Sequence, residues 1–248
     1  MSSRRLLSAA GLAAFIGIWE AVARSGLVPV ALLPPPSAIP ARFVSEISLG
    51  IWQTMVLASL GHYLVGLLIG SLLGVVVGGA VALFPRVDAA QAWVARLLRP
   101  IPPLAWIPFA IIWFGISETA AAFIIAIGIF WINYFTAYAA VGAVDKDLIE
   151  LARAFGHRSL KARLQKVIMP AAAPGILSGL RAGIGQGWMT VVAAELFGIT
   201  GIGQRMMEAA GLLATPVVIV YMATIAVLYG ISDTLFLMVQ TRILRWQP

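Results

Sequence analysis

Residues 145–170 read DKDLIELARAFGHRSLKARLQKVIMP, a charged island in an otherwise oily chain. Asp145, Lys146, Asp147, Glu150, Arg153, Arg158, Lys161, Arg163 and Lys166 place nine of the chain's 27 charged side chains (17 basic, 10 acidic) in 22 residues. Hydrocarbon does not accept that density of charge, so the segment is an aqueous loop between two membrane spans. Within it Leu148, Leu151, Ala152, Phe155 and Leu160 recur near helical spacing. Leu151 and Phe155 are four apart and share a face. Gly156 follows, at a position where glycine commonly ends a helix. The segment therefore reads as a short amphipathic helix offered to solvent and suited to a partner's groove.

Working outward, the composition agrees. The chain has 248 residues, 61% hydrophobic and 11% charged, with mean hydropathy +0.96. Soluble domains carry about 25% charged residues, so this is an integral membrane protein. Its apolar runs are continuous rather than alternating, which favours helices over a barrel. No cysteine is present, which excludes disulfides and thiolate metal sites. With His62 and His157 the only histidines, no metal site is expected.

Six spans are expected, near 6–24, 54–84, 101–116, 119–142, 170–197 and 216–240, with the loop at 143–169. The first, Leu6 to Ala23 at its core, is read as a retained span rather than a cleaved leader. The second exceeds the roughly 20 residues that a crossing needs, so it tilts or emerges. The third is short and broken by Pro102, Pro103 and Pro108. Such a helix is tolerated only where protein or a wet cavity satisfies the freed backbone groups. Thirteen of the 17 Lys and Arg residues fall on one side of this scheme. The positive-inside rule then puts both termini and the charged loop in the cytoplasm. The net charge of +7 is thus explained by topology, and no nucleic-acid partner is expected.

Two glycine ladders stand out. Gly66, Gly70, Gly74 and Gly78 lie in the second span; Gly175, Gly179, Gly183 and Gly187 lie in the fifth. Spacing of four keeps each ladder on one narrow stripe, and small residues let helices approach closely in lipid. Both are expected to be packing seams, against each other or another helix. The other face of the fifth span is more polar. Ser178, Arg181, Trp188 and Glu195 follow one another along it and are candidates for a translocation path. Arg181 can serve there by attracting an anion, or it can snorkel or pair with a carboxylate on another helix. His62 reads as a packing or hydrogen-bonding group. The outer segment Gly198 to Pro216 is too short and polar to span and reads as a re-entrant or surface helix.

The island, with Glu150, Ala152 and Gly156 followed by Val167-Ile168-Met169-Pro170, resembles the cytoplasmic "EAA" loop of bacterial ABC-importer permeases. Leu151 stands where that name has an alanine. The resemblance extends to Leu33-Pro34-Pro35-Pro36-Ser37, to Arg99-Pro100-Ile101-Pro102-Pro103-Leu104-Ala105-Trp106, to Trp113-Phe114-Gly115-Ile116, to Gly201-Ile202-Gly203 and to Arg245-Trp246. Together these look like the permeases of nitrate/sulfonate/taurine-type importers, with taurine permeases closest in appearance. The resemblance implies an all-α, six-helix type I importer permease in the bacterial inner membrane, with a cytoplasmic coupling helix. Glu150, Leu151, Ala152, Arg153, Phe155, Gly156 and Pro170 would form the coupling site. It also implies a second copy of the chain, two cytoplasmic ATPase subunits, an extracytoplasmic substrate-binding protein and surrounding lipid. The implied cargo is a small anion such as taurine, another sulfonate or nitrate. The sequence has no G-x-x-x-x-G-K-[ST] motif, so ATP and magnesium are expected in the ATPase and no catalysis in this chain. Two alternatives stay open: a different small solute such as a thiamine precursor, and an ion-coupled secondary transporter.

Overall fold

The computed structural model describes residues 3–245. Trp246, and the side chains of Arg4 and Arg5, lie outside that description. The helices are α1 (Ser3–Arg24), α2 (Ile39–Ser48), α3 (Ile51–Leu83), α4 (Pro85–Leu98), α5 (Ile107–Phe114), α6 (Glu118–Gly142), α7 (Lys146–Ala154), α8 (Leu160–Arg163), α9 (Met169–Glu195), α10 (Ile202–Gly211) and α11 (Thr215–Ile243). The described residues contain no strand.

Four of the expected spans appear as long helices within a few residues of their places: α1, α3, α6 and α11. The fifth is longer than expected. Leu160–Glu195 runs as one 36-residue helical stretch, so the second half of the 143–169 loop is helix. A π-turn at Leu164–Ile168 marks the join. It lies just before Pro170 and Pro174, which lack the N–H groups that would bond the carbonyls of Lys166 and Pro170. The wider turn is a common way to absorb such a defect.

The expected third span, 101–116, is not a single helix. The α4 helix and Pro103–Phe114 meet at 93°, and the sixth crossing exists only if this bent pair is counted as one. Pro102 holds an extended backbone at the corner (φ −66°, ψ 148°). Pro108 instead sits in the first turn of α5, where its missing donor costs nothing. Gly115, at φ +69°, closes α5.

The core forms around α6. Ser117 caps its N-terminus by accepting from Ala120 N, and Glu118 complements the dipole there. Ile124, Ile125 and Ile129 are buried with Tyr63 of α3 and Trp188 and Val191 of α9. The first ladder lies directly on α6. A Cβ at Gly70 would stand 2.5 Å from the Ala126 carbonyl oxygen, and one at Gly78 would stand 2.2 Å from that of Tyr134. Gly74 meets the Phe130 carbonyl oxygen in the same way, at 2.7 Å, while Gly66 meets the Ile125 side chain at 2.6 Å. The second ladder lies on α6 from the other flank. Gly175, Gly179 and Gly183 face Ala140, Thr136 and Asn133, while Gly187 faces Ile129 and Tyr63. The ladders therefore do not pack against each other; α6 lies between them.

Candidate functional site

The charged loop folds as α7 for local reasons. Asp145 accepts from Asp147 N at 2.9 Å as the N-cap, Asp147 lies in the first turn and Arg153 in the last. Gly156 N bonds Arg153 O and His157 N bonds Ala152 O, a glycine-terminated end with Gly156 at φ +87°. Ala152 is the buried contact of α7 with the rest of the chain. Leu148, Leu151 and Phe155 face outward, with Phe155 75% exposed. These side chains, with Pro170, border an open groove of about 630 Å³. On the other flank Lys146, Glu150, Arg153 and Arg163 line a second cavity of about 370 Å³ against the ends of α3 and α6. The Nε of Arg163 is buried there without a partner. The sequence-expected coupling residues are thus brought together, with a short apolar surface and a charged border turned outward.

The polar row of α9 divides into two parts. Its residues share a stripe, but their neighbours change along the helix. Ser178 and Arg181 are exposed. Arg181 makes a bidentate ion pair with Asp233 of α11, at 2.7 and 2.8 Å. Trp188 and Glu195 do not stand on an open wall in this structure; both are buried. Trp188 stacks on Tyr63 at 4.3 Å and donates to Ser232 Oγ at 3.2 Å.

Glu195 is fully buried and joins three helices. Its carboxylate accepts from Ser59 Oγ at 2.8 Å, His62 Nδ1 at 2.9 Å and Gly203 N at 2.9 Å. A carboxylate only accepts, so His62 donates through Nδ1. Ser59 Oγ in turn accepts from Ile202 N at 2.8 Å. The start of α10 is thereby fastened to α3 and α9. Glycine is required at 203 because a Cβ there would lie 2.4 Å from the Val192 carbonyl oxygen.

A second polar node holds the other side of α10. Arg205 meets both oxygens of Glu46 in α2, at 2.7 and 3.2 Å, and Tyr221 of α11 donates to the same carboxylate at 2.9 Å. The Arg205 guanidinium holds the Glu46 carboxyl below the usual range, against the opposing effect of burial. The same contact pushes Arg205 up.

Sequence reasoning missed Ser59, Asp233, Glu46 and Tyr221 as partners. Nothing in their local patterns singles them out, because each contact spans 52 to 175 residues of chain. The Gly201-Ile202-Gly203 run was the one available signal that another group approaches there.

Residues 66–246 match the family described as binding-protein-dependent transport system inner membrane component. The taurine transport system permease protein TauC of Escherichia coli (strain K12) is 35% identical over 253 residues, covering 99% of this chain and 91% of that protein. A putative aliphatic sulfonates transport permease protein, SsuC of Bacillus subtilis (strain 168), is 30% identical, covering 95% of this chain and 85% of that one. Among solved structures, a chain of the inward-facing MetNI methionine ABC transporter aligns with TM-score 0.61 at 21% identity, over 79% of this chain and 97% of its own. A chain of an amino acid ABC transporter crystallised with histidines aligns with TM-score 0.58 at 18% identity, over 83% and 98%. These two likenesses concern the fold.

Proposed function

The chain belongs to the binding-protein-dependent transport system inner membrane components, and from that premise we propose that it is the permease half of an ATP-driven importer for a small sulfonate-type anion. The roles that give the two sequence relatives their names, taurine and aliphatic sulfonate transport, support that cargo. Family membership lends nothing to the ion-coupled alternative.

The observation that carries the coupling role is the outward face of α7. Leu148, Leu151 and Phe155 are 46%, 54% and 75% exposed on a capped helix at the charged end of the bundle. Apolar side chains presented to water in this way suit a partner's groove. That partner is the ATPase, which binds ATP and magnesium. A second copy of this chain completes the pore, and a binding protein delivers solute on the opposite side. On this reading both termini and α7 lie in the cytoplasm, which the distribution of basic residues supports.

Co-purification with the ATPase tests this reading. Phe155→Asp changes a side chain that supports nothing in the fold, so the variant should accumulate normally yet retain at most a tenth of the bound ATPase. Retention equal to wild type would refute the role of α7. Absence of ATP-dependent sulfonate uptake by the wild-type complex with its binding protein would refute the cargo.

A further inference from the structure

The α4 helix is inverted relative to an ordinary surface helix: its polar side points into the protein and its apolar side points out. Asp88 accepts from Tyr138 Oη at 3.1 Å and Gln91 Oε1 accepts from Tyr134 Oη at 2.8 Å, both on α6. Ala95 packs beside them against Tyr134 and Val81. On the opposite side Trp93, Val94 and Leu97 are 71%, 55% and 68% exposed. Arg86 in the first turn lies on that side, Arg96 in the last turn borders it, and Arg99 follows as the C-cap. None of the three has an ion-pair partner among the described residues. Arg96 lies over Trp93 and Arg99 over Phe135, at 5.5 and 4.4 Å from the ring centres.

The placement gives the depth. The helix crosses α6 at Tyr134 and Tyr138, eight and four residues before Gly142 ends it. At 1.5 Å per residue that is about 6–12 Å inside the end of the bundle. Interfacial helices bury their apolar face about 5–10 Å into the headgroup boundary. The 93° corner at Pro102–Pro103 keeps α4 out of line with the Pro103–Phe114 segment. Beside the corner, Arg99, Trp131 and Phe135 border a cavity of about 380 Å³.

We propose that α4 is a lipid-binding helix that selects anionic phospholipid, with Trp93, Val94 and Leu97 among the acyl chains and Arg86, Arg96 and Arg99 on the phosphates. A second copy of the chain is a poorer occupant. The outward charge of α4 is all positive, since Asp88 is turned inward onto Tyr138. A self-complementary two-fold contact through this face would bring like charges together. Basic residues near an anionic bilayer each contribute about a fivefold preference. The proposal holds whatever solute the chain carries.

The natural absence of cysteine permits a direct test. Leu97→Cys, labelled with a fluorophore, is reconstituted as the full chain in vesicles mixing phosphatidylglycerol and phosphatidylcholine, with one or the other brominated in its acyl chains. Quenching should be stronger from brominated phosphatidylglycerol at equal mole fraction. Arg96→Gln with Arg86→Gln should remove that excess while leaving quenching itself intact; both side chains are exposed, so folding is not at stake. Equal quenching by the two lipids in the parent would overturn the headgroup selection. Absence of quenching by either, or disulfide linkage of two copies through Cys at 97, would show protein covering this face and overturn the proposal outright.

Discussion

Replacing Glu195 by alanine should damage the fold at the end opposite the charged loop without touching that loop. The substitution strips an acceptor from three buried donors, Ser59 Oγ, His62 Nδ1 and Gly203 N. Each unsatisfied donor costs about 1–3 kcal/mol. These costs overlap, because Ser59 and the backbone of α10 can shift together, so the plain sum is an upper bound. Their overlap puts the expected loss in the lower part of that sum, about 3–5 kcal/mol. For chains of this size 1 kcal/mol moves the melting temperature by about 2–4 °C, so the loss is about 6–20 °C. Glu195→Gln keeps an acceptor oxygen and can offer its amide to a retautomerised His62, so it should cost less than half as much. The assay is thermal unfolding of the purified chain in detergent. Hydrogen exchange should show the extra opening concentrated at residues 198–211. An alanine variant melting within 2 °C of wild type would refute the argument that this node holds α10, as would equal losses for alanine and glutamine.

Three further outcomes follow from the geometry. Gly78→Ala should sharply reduce assembled protein, because its Cβ meets the Tyr134 backbone carbonyl at 2.2 Å, whereas Gly61→Ala, with nothing within 4 Å, should assemble as wild type; fluorescence-detected gel filtration reads both. Asp233→Asn should lower yield more than the double variant Arg181→Gln with Asp233→Asn, since the single change leaves the guanidinium without its carboxylate on a membrane-spanning helix; the same order for transport at equal yield would be read by uptake assays. The Glu46 carboxyl is depressed by Arg205, so its stabilising contribution is full above the unfolded carboxyl value near 4.3 and is lost as pH falls through the lower folded value; melting curves between pH 6 and 3 should show that acid-side loss, and Glu46→Gln should remove it.

Much of the fold was legible because it rests on local patterns. Ladder spacing and apolar run length place α3, α6 and α11 within a few residues, and Gly156 places the end of α7. Two features resisted. The prolines at 100, 102 and 103 signal a break, but not whether the chain continues across the membrane or turns through 93°. The end of the loop was misplaced because Leu160–Lys166 carries enough charge to read as loop, yet its Ser159 cap and the π-turn carry it into α9. The polar row on α9 was correctly seen as one stripe. Its division into an exposed ion pair and a buried node depends on Asp233, Ser59 and His62, residues supplied by other helices. Tertiary partners of that kind leave no periodic trace.

The ladder of α3 on α6 has a mechanical consequence. Where backbone touches backbone, there are no long side chains to change rotamer and let one helix slide past the next. The α3–α6 pair is therefore a stiff slab, in which a sub-ångström slip at Gly70 or Gly78 already meets a carbonyl oxygen. Any opening of this protein to one side of the membrane or the other must then swing the slab as one piece. The deformation falls to the thinly packed parts around it: the α4–α5 corner, α1 and the part of α11 after Thr224.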